Sequence, residues 1–305
     1  MPTISVVIPT YNSETTIQET IESVQKQTFS DFEIIVIDDG SQDGTIELVK
    51  SLVKLEPRLK IFCYENAGVA VARNRGIELA QGEFISLLDA DDLWTPDKLE
   101  LQLKALKDHP QAGVAYSWTN PIDEQGKILF LGTRPIWEGN VYGKLLQTNF
   151  LSNGSNILVR REAIESICGF PTDFPVASDW DFYLKLAFKC SFVVVPQYQI
   201  LYRQRSNSMS SNIEVLMQEN CAVLEKAYYI APAELKSSRN KNLSNLYFYF
   251  AELYLKRSKD VKSINQVGRN LWISIRFYPP SLFNKNIQRT LVKFCWKRLL
   301  SIKNY

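Results

Sequence analysis

Asp89-Ala90-Asp91-Asp92 places three carboxylates within four residues, directly after the apolar run Phe84-Ile85-Ser86-Leu87-Leu88. Like charges this close repel, and burying them is costly unless something positive sits between them. A divalent cation is one answer. Hard oxygen ligands select magnesium or manganese, ions that keep waters and substrate phosphates as further ligands. A solvated acidic turn is the other, and Asp-x-Asp alone does not separate the two, because short motifs recur by chance. The apolar run reads as a buried strand. The carboxylates then stand at its C-terminal end, where open α/β sheets bind ligands. Thr95 as N-cap, Pro96 at the first helical position and Asp97 near the positive helix end predict a helix straight afterwards.

The elements that must carry these groups follow from periodicity. Ile4-Ser5-Val6-Val7-Ile8 is a β-branched strand that Pro9 is expected to end, with Thr10-Tyr11-Asn12 as the next loop. Ile17, Ile21 and Val24 fall on one helical face. Phe32 to Ile37 is nearly all apolar, as in a sheet covered on both sides, and runs into Asp38-Asp39-Gly40-Ser41. A helix with Ile46, Val49 and Val53, a strand Lys60 to Tyr64, a helix Val69 to Ala80 and the strand Phe84 to Leu88 follow. Strands alternating with helices predict right-handed crossovers and a doubly wound, mainly parallel α/β sheet. Three polar loops then share one sheet edge. Together they offer an aromatic for a base, carboxylates for a base N–H or ribose hydroxyls, and a metal for phosphates. A nucleotide needs those parts.

Composition narrows the classes. With 45% hydrophobic and 22% charged residues the chain is ordinary globular protein, and 305 residues allow one large domain with an appendage, or two small ones. A net charge of +2 argues against nucleic acid as the main partner. Five scattered cysteines show neither metal-ligand spacing nor a disulfide framework, which fits a reducing cytosol. Met1-Pro2-Thr3-Ile4 lacks the pattern of a signal peptide, and no apolar run is long enough to span a bilayer, so a cytoplasmic location is expected. The single histidine, His109, precedes Pro110 and reads as a helix-end residue. A Ser-His-Asp hydrolase would depend on it, and acid–base work falls instead to carboxylates. A dinucleotide-dependent oxidoreductase needs a glycine-rich turn after the first strand, and Pro9 to Thr16 contains no glycine.

Ile4 to Asn12, Asp38-Asp39-Gly40-Ser41, Ala72-Arg73-Asn74-Arg75-Gly76 and Asp89-Ala90-Asp91-Asp92 resemble family 2 glycosyltransferases with the GT-A fold, in order and spacing as well as in residues. The resemblance covers roughly the first two-thirds of the chain; the pieces are specific only in combination. It implies that Pro9, Thr10 and Tyr11 line a nucleotide pocket and that Asp39 takes the base N–H, as in uracil-recognising relatives. It also implies that Arg73 lies near the nucleotide, that Asp89 makes ribose or water-mediated metal contacts, and that Asp91 is the direct ligand of Mn2+ or Mg2+.

Past residue 110 the rhythm changes. Val114-Ala115-Tyr116-Ser117 and Ile128-Leu129-Phe130 flank a turn at Asp123 to Lys127, and a strand Asn156 to Val159 follows Asn153-Gly154-Ser155. Ala177-Ser178-Asp179-Trp180-Asp181 opens a helix. The family usually has Glu-Asp there, its aspartate being the catalytic base, so the resemblance implies Asp179 as base with Ser178 in place of the acidic neighbour. An ordinary helix N-cap is the alternative for Asp179, which the helix dipole should keep ionised. Trp180 reads equally as core packing or a sugar platform. Many relatives carry a metal-touching histidine near Arg205. Arginine cannot bind a cation; Arg203 or Arg205 would neutralise the leaving diphosphate or simply line a surface loop. Ser155, Trp180, Arg203 and Arg205 are expected on the acceptor side.

From Ile213 onward the pattern is helical, and an appendage packed on itself is expected. Lys285 to Lys303 mixes Leu291, Phe294, Trp296, Leu299 and Leu300 with Lys293, Lys297, Arg298 and Lys303. Packing on the body or peripheral membrane contact as an interfacial basic helix would both suit it. The expected organisation is a GT-A domain over 1–212, with a nucleotide-sugar half 1–112 and an acceptor half 113–212, then a helical region 213–305. The expected function is metal-dependent, inverting transfer from a nucleotide-diphosphate sugar, UDP-type favoured. The acceptor would be a glycan or lipid-linked hydroxyl in cell-surface polysaccharide synthesis. An inactive nucleotide-sugar-binding or assembly subunit is the alternative.

Overall fold

The structure is a computed structural model that describes residues 1–205, 211–257 and 261–303, with side chains in the last helix up to Leu299. The chain divides into two compact units, Met1–Leu145 with Asn149–Ser208, and Leu146–Thr148 with Met209–Tyr305.

The first unit begins with β1 (Ile4–Thr10), α1 (Ile17–Gln25), β2 (Phe32–Asp38), α2 (Thr45–Val53), β3 (Leu59–Cys63), α3 (Val69–Leu79) and β4 (Phe84–Leu87). It continues through β5 (Leu93–Trp94), α4 (Lys98–Asp108), β6 (Ala112–Ile122), α5 (Tyr142–Leu145), β7 (Leu158–Arg160), α6 (Arg161–Glu165), α7 (Ser178–Lys189) and β8 (Ser191–Arg203). The eight strands form one sheet in the order β3-β2-β1-β4-β7-β6-β8-β5. β3, β2, β1 and β4 are all parallel. β7 is antiparallel to both its neighbours, while β6 and β8 are parallel to each other. Every residue of β1 and β2 is buried, so apolar residues without alternation are what this half of the sheet demands. Ile8, Val36, Ile17, Ile21 and Leu99 belong to one core cluster.

Four local expectations are corrected. Pro9 lies inside β1, paired with Ile37. β4 flanks β1 only up to Val7, so the missing Pro9 N–H interrupts no ladder. The helix expected at Thr95-Pro96 starts two residues later, with Asp97 as N-cap, because Leu93 and Trp94 pair with β8 and Thr95 N–H donates to Gln199 O at 3.0 Å. Asn156 is not in a strand: its side chain bonds both backbone groups of Ser117, and β7 starts at Leu158. Ile128 makes one bridge to Ile122 and Phe130 is exposed, so no second hairpin strand forms.

The second unit contains α8 (Ile213–Ile230), α9 (Ala233–Lys236), α10 (Arg239–Arg257), α11 (Val261–Phe277), a 3-10 turn at Pro279–Phe283 and α12 (Lys285–Lys303). Its core is Ala251, Tyr254, Leu255, Val267 and Leu271, with Phe248, Leu291 and Phe294 against it. Among the described residues, no helix is long and apolar enough to cross a membrane.

Candidate active site

Three adjacent carboxylates leave β4 and meet three different environments. Asp92 is wholly buried. Its Oδ2 accepts the Ser155 hydroxyl at 2.5 Å and its Oδ1 accepts the Arg203 N–H at 2.9 Å. Burial first, then the charges of Asp91 and Asp89, push its pKa well above the ordinary carboxylate value. Asp92 is therefore an internal tie between the turn, β8 and the 153–155 loop.

Asp89 faces the other way. Its Oδ1 accepts from Arg73 Nη2 at 2.6 Å, and its N–H donates to Ser155 Oγ at 3.0 Å. Arg73 reaches it from α3 and is itself 5% exposed. Burial opposes the Arg73 charge, but Asp89 and Asp179 outweigh it and hold its pKa above the usual value. Arg73 Nη1 also donates to Ser178 Oγ at 3.4 Å. Gly154 packs closely on this pair: a Cβ there would stand 2.5 Å from Arg73 Nη2 and 2.9 Å from Asp89 Oδ2, so the ion pair would have to shift.

Asp91 is the least compensated of the three. Its nearest cation is Arg205 Nη1 at 4.0 Å. Burial, then the Asp89 charge, pushes its pKa up to about 6. Among the described residues no three His, Cys, Asp or Glu side chains converge on one point. One under-neutralised carboxylate with a second beside it, all oxygen donors, fits magnesium or manganese, which fill their shell with waters and substrate phosphates. The positive charge expected among the carboxylates comes partly from the protein, as Arg73 at Asp89.

Asp179 enters from α7. Ala177 holds the N-cap position, so Asp179 lies inside the first turn. Its Oδ1 accepts the Trp180 N–H at 2.8 Å and its Oδ2 accepts from Asn149 Nδ2 at 3.4 Å. Burial raises its pKa, Arg73 opposes the rise, and Asp89 adds to it. Arg73 thus binds together the β4 turn and the start of α7.

At the far end of the same edge, Thr10 and Asp38 are register partners on β1 and β2. Thr10 Oγ1 and Asp38 Oδ1 are buried and have no hydrogen-bond partner among the described residues. Asp39 is also buried, but it accepts from Gly68 N at 2.7 Å, Ala67 N at 3.0 Å and Arg75 Nη1 at 3.1 Å. Most of its acceptor capacity is engaged before any base arrives. Tyr11, next to Thr10 in the chain, is half exposed, while Pro9 is buried in β1.

Three residues expected on the acceptor side are internal instead. Ser155 is buried against Asp92. Trp180 is buried and its indole N–H donates to Leu145 O at 3.0 Å, which makes it core rather than platform. Arg203 is buried and donates to Asp91 O, Glu124 O and Glu19 Oε2 at 2.9, 2.7 and 2.8 Å. It clamps the Asp91 backbone and does not reach out to a diphosphate. Arg205 remains part-exposed near Asp91; Ser206, Asn207 and Ser208, which continue its loop in the sequence, lie outside the described residues. Sequence reasoning missed Ser178, Asn153 and Tyr183. The Tyr183 hydroxyl donates to Asn153 O at 2.6 Å, and Asn153 Oδ1 accepts from Ser155 N at 2.9 Å, so they brace the loop from behind. Tyr183 lies one helical turn after Asp179, the only signal the sequence carried for it.

Comparisons with known proteins bear on the family and the fold. The family described as "Glycosyltransferase like family 2" matches residues 5–253. A putative teichuronic acid biosynthesis glycosyltransferase, TuaG of Bacillus subtilis, is 40% identical over 119 residues, 39% of this chain and 46% of that protein. The chondroitin synthase of Pasteurella multocida is 28% identical over 295 residues, 92% of this chain and 30% of that protein. The match spans between 21% and 46% of the length of the first curated relatives. Among solved structures, S. aureus TarS 1-349 in complex with UDP-GlcNAc superposes with a TM-score of 0.66 at 20% identity, covering 95% of this chain and 88% of that one. The Pyrobaculum calidifontis mannosyltransferase PcManGT, in complex with GDP-Man and Mn2+, does so with a TM-score of 0.63 at 22% identity, covering 98% and 87%. Both share the GT-A architecture of the sheet and its helices.

Proposed function

The chain belongs to the family 2 glycosyltransferases, and we propose that it moves a sugar, with inversion, from a nucleotide-diphosphate sugar to a hydroxyl of a glycan or lipid-linked acceptor. The observation that carries this is the Arg73 bridge: one buried guanidinium bonded to Asp89 and acting on Asp179. On this reading Asp89 serves the donor and Asp179 the acceptor, and one guanidinium acts on both.

Each residue has a task. Tyr11 offers a half-exposed ring for the nucleoside base. Thr10 Oγ1 and Asp38 Oδ1, buried and unpartnered, are polar atoms that a nucleoside can satisfy, and Asp39 keeps the 64–68 loop in place beside them. Asp89 faces ribose hydroxyls or metal-bound water. Asp91, with Asp89, would hold Mn2+ or Mg2+, which when bound neutralises charge on the departing diphosphate. Arg205, 4.0 Å from Asp91 Oδ2, would share that task. Asp179 accepts the acceptor hydroxyl proton while that oxygen attacks the anomeric carbon. Burial raises its pKa, which makes it a stronger base than a solvated aspartate. A single base and a single attack imply inversion.

TarS was solved with UDP-GlcNAc and PcManGT with GDP-Man, which supports a nucleotide sugar without choosing the base. The names of TuaG and of the chondroitin synthase support polysaccharide synthesis; the reading itself takes a UDP-type donor and a cell-surface polysaccharide. The reading includes a cytoplasmic enzyme in peripheral contact with the membrane. The purified chain should hydrolyse one nucleotide sugar slowly in the presence of Mn2+, and screening by thermal shift identifies which one, since binding raises apparent stability. Binding without hydrolysis or transfer would assign it instead as an inactive nucleotide-sugar binder.

A further inference from the structure

The near-neutral total charge conceals a division. Residues 209–305 hold sixteen Lys and Arg against six Asp and Glu. Beyond Glu252 there are twelve bases and one acid, Asp260.

α12 concentrates this bias, for Lys285–Lys303 contains no acid at all. One face of the helix is accounted for. Ile287 and Thr290 are buried, and Leu291 and Phe294 pack on the core of the second unit. α11 comes close enough that a Cβ on Gly268 would meet the Phe294 ring at 2.7 Å. The other face is apolar and open. Val292, Trp296 and Leu299 are 69%, 67% and 61% exposed, and their i, i+4, i+7 spacing puts them on one stripe. Lys285, Arg289 and Lys293 fall on the same arc. Phe283, just before the helix, is 84% exposed. Leu291 and Phe294 are thus removed from the membrane-facing set the sequence suggested, Val292 joins it, and the side chains of Leu300 and Lys303 lie outside the described residues.

Beside the stripe is a groove of about 470 Å³ lined by Leu255, Lys256, Val292, Lys293, Trp296 and Lys297. Its walls are apolar and its rim carries amines. Lys297 Nζ donates to Leu255 O at 2.9 Å, which fixes that amine at the groove. On the buried side of the helix, Glu252 Oε1 accepts from the Thr290 hydroxyl at 3.5 Å.

We propose that the Val292–Trp296–Leu299 face docks on the surface of an anionic phospholipid bilayer, with lipid phosphates against the lysines of the groove. Cationic rows beside an exposed aromatic and aliphatic stripe suit the headgroup–acyl boundary. Charge complementarity selects this occupant over a second copy, since two faces carrying only cations repel. The inference sharpens the peripheral contact named above and rests on that part of the reading alone; it needs no statement about catalysis.

The test is co-sedimentation of the full chain with phosphatidylglycerol vesicles and with neutral phosphatidylcholine vesicles, at low and high salt. The chain should pellet with the anionic vesicles only, and less so as salt rises. Arg289→Gln with Lys293→Gln should cut partition by roughly 30-fold, a factor of about five per base at about 1 kcal/mol each. Val292→Ser with Trp296→Ser should weaken whatever attachment survives high salt. All four positions face solvent, and thermal melts check that the variants fold. Donor hydrolysis is measured alongside: vesicle binding lost with hydrolysis intact separates this proposal from the catalytic one. Equal pelleting with both vesicle types, or unchanged partition in both variants, overturns the proposal. So does a dimer in lipid-free solution that Trp296→Ser dissociates, which would give the face to a second copy.

Discussion

Arg73 Nη2 donates to Asp89 Oδ1 at 2.6 Å, and the same buried guanidinium opposes the rise in the pKa of Asp179. One cation therefore serves a carboxylate on each side of the candidate site. Arg73→Met removes it and leaves both under-compensated. Breaking a buried pair by deleting one partner costs roughly 3 kcal/mol or more, so urea unfolding should show a loss of that order. The catalytic consequence has a definite sign. Without the cation the Asp179 pKa moves further up, and a base works only when ionised. The acidic limb of the kcat–pH profile should shift to higher pH. A limb that stays in place would show that Arg73 does not tune Asp179.

Asp91 makes a second prediction through its pKa of about 6. A metal binds the ionised carboxylate and must displace its proton. Manganese affinity in the presence of UDP, measured by calorimetry, should be level above neutrality and fall as pH drops through about 6. Asp91→Asn should remove that dependence and weaken binding by roughly tenfold or more. The folded pKa lies above the unfolded one, so in the metal-free protein this group favours folding at low pH. That contribution is lost as pH climbs from the ordinary carboxylate range through about 6. Metal-free melting temperatures should show this slope in the wild type and a shallower one in Asp91→Asn. Manganese affinity independent of pH would remove Asp91 from the ligand set.

How far the site could be read beforehand depended on whether chemistry was local. β2 and the turn after β4 were legible because a mostly apolar run followed by acids is a strand-end signal within a dozen residues, and the body of β1 because its residues are largely β-branched. What stayed hidden was long-range. Asp92 looks like its neighbours in the sequence, and only the arrival of Ser155 and the Arg203 N–H makes it internal. Arg203 looked available for a phosphate until Glu19 and the Asp91 and Glu124 carbonyls enclosed it. Thr95 carries good capping chemistry, yet pairing of Leu93 and Trp94 with β8 delays the helix. In each case a tertiary partner from a distant part of the chain overrode a local preference.

Lys98 is a test of the core independent of any ligand. It is wholly buried, with its Nζ 2.5 Å from Ser86 Oγ and 3.8 Å from the centre of the Trp94 ring. Burial holds its pKa well below the usual lysine value. For a base with a lowered folded pKa the unfolded chain binds the proton more tightly, so stability rises with pH above the folded value and up to about 10.4. Lys98→Met fills the same space without a charge. Urea unfolding of the wild type should show increasing stability from pH 7 to pH 9.5, and the variant should be flatter and at least as stable at pH 7. A variant that is markedly less stable at pH 7 would mean that the Trp94 and Ser86 contacts outweigh the desolvation of the amine.

The last prediction concerns Asp179 itself. An acceptor hydroxyl is a poor nucleophile until its proton begins to leave, and the lone histidine, His109, caps α4 far along the chain from this helix. Asp179 is a carboxylate of raised pKa at the start of α7, within the field of Arg73 and Asp89. Asp179→Asn keeps the shape and still presents an oxygen to the Trp180 N–H. Fold and UDP binding should survive, while kcat for transfer falls by roughly a hundred- to ten-thousand-fold, the range of general-base catalysis. Asp181 sits in the same turn and carries the same side chain, but it is buried, and two residues along a helix point to different faces. Asp181→Asn should therefore show its effect mainly in melting temperature and lose far less kcat. Near-wild-type transfer by Asp179→Asn, or a larger kcat loss in Asp181→Asn, would move the base elsewhere. The stereochemistry decides the mechanism separately: proton NMR of the first product formed should show the anomeric configuration opposite to the donor's, and retention would exclude attack in a single displacement.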